Sequence, residues 1–100
     1  MKKIVLLCAN GMSTSLLVDN MRKVVEKEGY NYKISAHAIS TFVESAADVD
    51  AILIGPQVRY ELKKVSDKLP EKAIEVIDMS AYGMVDGKKV VEQARKMMGD

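Results

Sequence analysis

The run "CANGMSTS", residues 8–15, holds the side chains of this chain whose types and spacing are suited to chemistry. Cys8 is the only cysteine, and it follows directly on the apolar run "KIVLL". The same run also contains a glycine and three hydroxyl side chains: Gly11, Ser13, Thr14 and Ser15. Because an amphipathic helix pattern begins next, the thiol is predicted to lie where a buried strand ends and a loop enters a helix.

Such a loop suits an anion. The first N–H groups of a helix lack partners within the helix, and Asn10 and Gly11 tolerate the positive φ angles that curl a loop into an anion nest. A helix N-terminus favours an anion by about 0.3–1 kcal/mol. The position therefore suits a thiolate nucleophile, or an oxyanion bonded to it. The same residues also fit a plainer interpretation, in which Cys8 is a small buried hydrophobe and the hydroxyl residues cap the helix.

The rest of the chain alternates between strand and helix patterns. Apolar or alternating runs predict strands at residues 3–7, 32–38, 51–55 and 73–78, of which the second is an edge strand and the third a central one. Helical spacing links Leu17 to Val25 before Gly29, and links Val58 to Leu69 before Pro70. Thr41 and Glu44 match a capping box, and Asp86 is a cap for the last helix. This alternation predicts an α/β fold: a small four-stranded parallel sheet of order 2-1-3-4 with helices on both faces.

Ligands of such sheets bind beyond the carboxyl ends of the strands. Three loops are expected there, at residues 8–15, 55–60 and 78–86. The candidate rim residues on the second and third loops are Gln57, Arg59, Tyr60, Asp78 and Tyr82. Asp78 either supplies an acid or holds its own loop, and Tyr82 either borders a bound phosphate or packs in its loop. His37, the single histidine, is expected on the solvent face of the edge strand, away from the site.

The composition narrows the class of protein. With 100 residues, 48% of them hydrophobic and 29% charged, the chain is expected to form one ordered domain over residues 1–100. A net charge of +1 gives no reason to expect nucleic acid as a partner. One cysteine cannot form an internal disulfide, so a reducing, cytoplasmic location is expected. No cluster with the spacing of metal ligands is present, and neither a metal nor another cofactor is expected.

The loop also discriminates between reactions. A dithiol redox motif needs a second cysteine at position 11, which is glycine, and a nucleotide P-loop needs a Gly-Lys-Ser/Thr ending that is absent. A cysteine phosphatase places an arginine six positions after the nucleophile, where this chain has Thr14. The arginine would bind the phosphoryl oxygens as charge builds in the transition state. Its absence favours a phosphoryl carrier over a phosphatase.

Three segments resemble one family closely: "LLCANGMSTSLLVDNM", "ADVDAILIGPQVRYELKKV" and "IEVIDMSAYGMVDGKKV". They are similar to the phosphocysteine loop, the third strand with its loop, and the Tyr-Gly-x-Val-Asp-Gly turn of the EIIB components of the sugar phosphotransferase system, in the lactose/cellobiose/chitobiose class. The resemblance implies a fold like that of low-molecular-weight tyrosine phosphatases. It also implies a phosphotransferase activity.

The resemblance assigns roles to residues and partners. Cys8 is implied to be the phosphorylated nucleophile, and the phosphate-binding loop comprises Ala9, Asn10, Gly11, Met12, Ser13, Thr14 and Ser15. The implied partners are the EIIA phosphohistidine protein and the membrane EIIC sugar transporter, in transient contact with a monomeric carrier. The sequence leaves the sugar open. Two alternatives also stay open: a cysteine phosphatase, and an anion-binding module whose Cys8 is never modified.

Overall fold

A computed structural model of the chain describes residues 1–9 and 14–100. Its four strands are β1 (Lys2–Cys8), β2 (Tyr32–Ala38), β3 (Ala51–Ile54) and β4 (Ala73–Val76). They form one sheet of order β2-β1-β3-β4 in which all neighbours are parallel. The predicted fold class and strand order are confirmed.

Helices cover both faces of this sheet. The α-helices are α1 (Ser15–Glu28), α2 (Phe42–Ser45), α3 (Leu62–Lys68), α4 (Met79–Gly83) and α5 (Gly87–Met98), and 3-10 turns occupy Ile39–Thr41 and Pro56–Glu61. Helices α1, α4 and α5 pack on one face, and α2 and α3 pack on the other. Among the described residues, none of the helices has the length and apolarity that a membrane crossing requires.

Strand β1 lies between these two layers. Ile4 and Leu6 face α1 and α5, whereas Val5 and Leu7 face α2 and α3. All four are at most 2% exposed, which explains why the strand is a continuous apolar run. Each such side chain contributes roughly 1.5–3 kcal/mol on burial, so the end of β1 is held firmly in the core.

Helix α1 is anchored along one stripe. Leu17, Met21 and Val25 are buried at helical spacing. The helix ends at Gly29, as predicted, because Gly29 takes the left-handed conformation with φ 72° and its N–H returns to the last turn. The core therefore fixes the start of α1, which follows the cysteine loop, relative to the sheet.

Three local predictions were incomplete or wrong. Thr41 does not form the predicted capping box, because its hydroxyl donates to the carbonyl of Ala38 at 2.8 Å. Val58 precedes α3 in a 3-10 turn and has φ −118°, outside helical geometry. The sequence pattern also missed α4, which has five residues.

The predicted cap of the last helix is confirmed. The Asp86 carboxylate accepts a hydrogen bond from the Lys89 N–H at 3.1 Å. Val90, Val91 and Ala94 of this helix are fully buried against the same layer as α1. Helix α5 thus connects the turn after β4 to the helix that starts beside the cysteine.

Candidate functional site

The ends of the three strands β1, β3 and β4 form a row. The Gly55 N–H donates to the Leu7 carbonyl at 2.8 Å, and the Ile77 N–H donates to the Ile54 carbonyl at 2.8 Å. Cys8, Gly55 and Ile77 are therefore neighbours along one edge of the sheet. The segments that follow these strands start at this edge, as the parallel topology requires.

Cys8 lies at the middle of the edge and below its surface. It is 1% exposed. Its Sγ is 3.4 Å from the Thr14 Oγ1, and 4.0 Å from the backbone carbonyl oxygen of His37 on β2. The thiol is thus surrounded by the end of the sheet on one side and the beginning of α1 on the other.

Thr14 occupies the position before α1 but does not cap it with its side chain. Its carbonyl accepts from the Val18 N–H at 2.9 Å, whereas its side chain makes no capping hydrogen bond. Thr14 is fully buried and its hydroxyl contacts the sulfur. A purely capping role therefore does not describe this hydroxyl.

The rest of the predicted phosphate loop is only partly described. Asn10, Gly11, Met12 and Ser13 lie outside the described residues, so their phosphate-binding role and the proposed anion nest stay predictions. Ala9 and Ser15, which flank them with Thr14, are exposed. Ser15 is the first residue of α1.

Asp78 holds its own segment. Its Oδ2 accepts from the Ser80 hydroxyl at 2.7 Å and from the Ala81 N–H at 2.9 Å, which caps α4. These two hydrogen bonds lower the pKa of the Asp78 carboxyl below its usual range. Asp78 also follows β4, two strands from β1 and hence about 10 Å away by strand spacing alone. The structure supports the loop-holding interpretation over that of a protonated acid.

The remaining candidate rim residues fall into two groups. Gln57, Arg59 and Tyr60 are exposed on the 3-10 turn after β3. Tyr82 instead packs on the apolar layer formed with α1 and α5. Its hydroxyl is buried and has no hydrogen-bond partner among the described residues. Tyr82 is thus a packed residue whose hydroxyl has no hydrogen-bond partner within residues 1–9 and 14–100.

His37 is closer to the site than the sequence indicated. It is the residue before the end of β2, it pairs in register with Leu7, and it is half-buried. The expectation that it lies away from the strand ends was wrong. Its backbone carbonyl, not its imidazole, is the group recorded beside the sulfur.

Two residues near this edge escaped the sequence-based reasoning. A Cβ built on Gly55 would lie 3.5 Å from the Cys8 Cβ and 3.4 Å from Gln57 Oε1. Gln93 of α5 accepts from the Asp78 N–H at 3.1 Å and donates to the Val76 carbonyl at 2.9 Å. The glycine that ends the apolar run "AILIG" was a usable signal for Gly55, whereas nothing local marks Gln93.

The described ranges contain no group of three or more His, Cys, Asp or Glu residues placed to hold a metal ion.

A parallel sheet of this order, with a buried cysteine at the end of its first strand, places the chain among small α/β proteins that carry a cysteine at the edge of the sheet. The family model described as "PTS system, Lactose/Cellobiose specific IIB subunit" matches residues 3–93. The chain belongs to this family, and it is accordingly a phosphotransferase component of a sugar phosphotransferase system.

Individual relatives agree with the family model. The chain is 46% identical to the oligo-beta-mannoside-specific EIIB component of Bacillus subtilis (strain 168), over 98% of this chain and 97% of that protein. It is 37% identical to the galactose-specific EIIB component of Lactococcus lactis subsp. cremoris (strain MG1363), over 97% of this chain and 96% of that protein.

Solved structures give the same picture of the fold. The cellobiose-specific IIB component of Borrelia burgdorferi superposes with a TM-score of 0.82 at 32% identity, over 98% of this chain and 92% of that one. The lactose-specific IIB domain from Streptococcus pneumoniae superposes with a TM-score of 0.75 over 98% of this chain and 95% of that one. At 17% identity, the second match bears on the fold alone.

Proposed function

We propose that this chain is the cytoplasmic phosphoryl carrier of its phosphotransferase system, with Cys8 as the residue that carries the phosphoryl group. It receives the group from a phosphohistidine of EIIA and passes it to a β-linked disaccharide bound in the membrane EIIC transporter. The observation that carries this proposal is the placement of Cys8. The single thiol of the chain lies at the carboxyl end of β1, a strand with a neighbour on each side. It lies beside the start of α1 and contacts the buried hydroxyl of Thr14.

The transfer itself needs two displacements at phosphorus. In the first, the Cys8 thiolate attacks the phosphorus, an S–P bond forms, the N–P bond breaks and its electron pair stays on the histidine ring. In the second, a sugar hydroxyl attacks, the S–P bond breaks and its electron pair returns to Sγ. The proton of the sugar hydroxyl leaves to a base outside this chain. Positioning and charge stabilisation are the main demands of such steps.

The start of α1 meets these demands in part. The N-terminus of α1 is the positive end of the helix dipole, which favours the anionic sulfur and an anionic phosphoryl group alike. The loop of residues 8–15 has threonine where a phosphatase has arginine. A phosphoryl group held without that guanidinium is retained long enough to be handed on.

The surroundings of the edge suit partners that come and go. Leu16, Tyr60, Met79 and Met84 are large apolar side chains that are between 60% and 78% exposed, and they lie on segments that start near the carboxyl ends of the strands. Methionine adapts to more than one partner surface. We infer that EIIA and EIIC bind in turn to these four exposed apolar side chains, through modest and transient contacts.

The two outer strands favour a monomer. Arg22 donates through Nε and Nη2 to the Ile34 carbonyl on β2, at 3.2 and 2.7 Å. Gln93 covers the Val76 carbonyl on β4. Backbone groups that are already bonded to side chains offer less to a second sheet edge.

The proposal is tested by intact-mass measurement. Wild type and Cys8→Ser are incubated with phosphoenolpyruvate, the general phosphotransferase proteins and an EIIA. We expect wild type to gain one phosphoryl group and Cys8→Ser to gain none. A gain by Cys8→Ser would contradict the assignment of the site. Release of inorganic phosphate from an aryl phosphate by wild type, and not by Cys8→Ser, would instead favour a cysteine phosphatase.

A further inference from the structure

The hydroxyl of Thr14 contacts the sulfur of Cys8 and makes no capping hydrogen bond to the N-terminus of α1. We infer that Thr14 is a positioning residue for the sulfur: its O–H donates to the Cys8 thiolate of the unloaded carrier, and stabilises the sulfur again when the phosphoryl group leaves. The inference rests on the proposed function in so far as a phosphoryl group is carried. The hydrogen bond itself belongs to the unloaded protein and is testable without any partner.

The contact is fixed by the core. Cys8 ends the central strand, and Thr14 begins a helix whose Leu17 is 2% exposed against that sheet. The two polar atoms are 3.4 Å apart, a hydrogen-bond distance for sulfur. Because both ends of the contact belong to packed elements, the hydroxyl does not need to be recruited when charge appears on the sulfur.

The burial of Thr14 requires an explanation, and the sulfur supplies one. Within residues 1–9 and 14–100, Thr14 is the one buried residue that is polar or charged, and its exposed fraction is 0%. A threonine before a helix ordinarily caps the helix, yet this side chain makes no capping bond. The Thr14 hydroxyl is buried, makes no capping hydrogen bond and contacts the Cys8 sulfur, so it is placed to donate a hydrogen bond to that sulfur.

A charged acceptor makes this hydrogen bond matter. Hydrogen bonds to ionised acceptors are stronger than neutral ones, and a site with little water strengthens them further. Cys8 is 1% exposed, so water contributes little to the solvation of its thiolate. A hydrogen bond from the Thr14 hydroxyl then replaces part of the stabilisation that water would give to an exposed thiolate.

The position in the loop gives this role a functional meaning. A phosphatase arginine six residues after the cysteine would bind the phosphoryl oxygens. This chain has Thr14 at that position, and its hydroxyl contacts the Cys8 sulfur. During discharge the S–P bond breaks, its electron pair returns to Sγ and the Thr14 O–H stabilises the new charge. No proton is transferred between the two residues.

The direct test follows the ultraviolet absorbance of the thiolate as a function of pH. The single cysteine makes the signal specific, and the curve of Cys8→Ser is subtracted to remove the tyrosines. Thr14→Val keeps the shape of the side chain and removes the hydroxyl, whereas Thr14→Ser keeps the hydroxyl. We expect the curve of Thr14→Val to move to higher pH, with a roughly tenfold fall in thiolate at pH values well below the midpoint, because a bond to a charged acceptor is lost. Thr14→Ser should follow wild type.

Two results would overturn the inference. One is a Thr14→Val curve that superposes on that of wild type, and the other is a Thr14→Ser curve that moves as far as that of Thr14→Val. Far-ultraviolet circular dichroism checks that each variant is folded, and Thr14→Ala replaces Thr14→Val if the valine does not fit. The titration needs no phosphoryl donor. A wild type that never gains a phosphoryl group would therefore count against the proposed function and leave the titration result standing.

Discussion

Gly55 lies directly against Cys8. The Gly55 N–H donates to the Leu7 carbonyl at 2.8 Å, and a Cβ added to Gly55 would be 3.5 Å from the Cys8 Cβ. The residue that follows the neighbouring strand β3 is thus in position to contact Cys8. A side chain at position 55 would pack against the Cys8 Cβ.

We predict a graded response to side chains at position 55. Gly55→Ala should fold normally, because the added Cβ makes ordinary contacts and the φ angle of −59° suits alanine. Gly55→Leu should lose roughly 1–3 kcal/mol of stability through overpacking, and should accept the phosphoryl group more slowly because it displaces Cys8. Urea unfolding and the rate of mass gain measure the two effects. Equal rates for all three proteins would contradict the role given to Gly55.

Gly87 lies at a close approach between helices α1 and α5. A Cβ at this position would lie 2.6 Å from the Asn20 carbonyl carbon and 2.7 Å from the Met21 nitrogen, both of them backbone atoms. We predict that Gly87→Ala destabilises the protein by roughly 1–3 kcal/mol, because one of the helices must move. The matched control is Gly83→Ala in α4, where an added Cβ meets nothing within 4 Å. Similar melting temperatures for the two variants would refute the close packing.

Asp78 should give the protein a specific dependence on acid. The hydrogen bond from the Ser80 hydroxyl, and then that from the Ala81 N–H, lower the pKa of the folded carboxyl. The bonds therefore stabilise the fold fully above the unfolded pKa of about 3.9, and the benefit is lost as the pH falls through the lower folded value. We predict that Asp78→Asn flattens the fall of unfolding free energy below about pH 4. Asp67→Asn, which removes another exposed carboxylate, controls for charge. An equally steep fall in Asp78→Asn would count against the prediction.

Tyr82 offers a contrast between stability and chemistry. Its buried hydroxyl has no partner in the described parts of the chain, and a buried hydroxyl without a partner lowers stability. We predict that Tyr82→Phe leaves stability unchanged or raises it by up to about 1 kcal/mol, measured by urea unfolding. A clear loss of stability would show that the hydroxyl is bonded after all. The lifetime of the loaded phosphocysteine in the same variant reports whether the hydroxyl also contacts the phosphoryl group.

Much of the fold was predictable because its elements repeat simple patterns. From Ile4 to Cys8, strand β1 is buried on both faces and its residues are apolar, whereas the sequence of β2 at the edge alternates between apolar and polar residues. Gly29 and Asp86 end and begin helices in the way their chemistry favours. Given the strand order, right-handed connections place α1 on one face of the sheet and α2 and α3 on the other, as observed.

The errors occurred where the outcome depends on a few local bonds. Helix α4 spans five residues, Met79–Gly83, and is too short to show a helical period. The Thr41 hydroxyl can either cap α2 or donate to a nearby backbone carbonyl. In the structure it donates to the Ala38 carbonyl and does not cap α2. Propensity does not decide between alternatives so close in energy.

The site was predictable in position but not in detail. The residues around Cys8 identify a thiol between a strand and a helix, and the motif identifies its family. The contact of Thr14 with the sulfur depends on how α1 packs on the sheet. The contact between Gly55 and Cys8 depends on the register between β1 and β3. The contact between His37 and Cys8 depends on the register between β1 and β2. These are tertiary relationships that no single segment contains.

The most direct test of the central claim is phosphorus-31 NMR of the protein after loading from phosphoenolpyruvate. We predict one protein-bound resonance with the shift of a phosphorus bonded to sulfur, which is absent from Cys8→Ser treated in the same way. A resonance with the shift of phosphorus bonded to nitrogen or to a hydroxyl oxygen would contradict it. In that case the phosphoryl group would be carried elsewhere, and Cys8 would be a structural residue of the sheet edge.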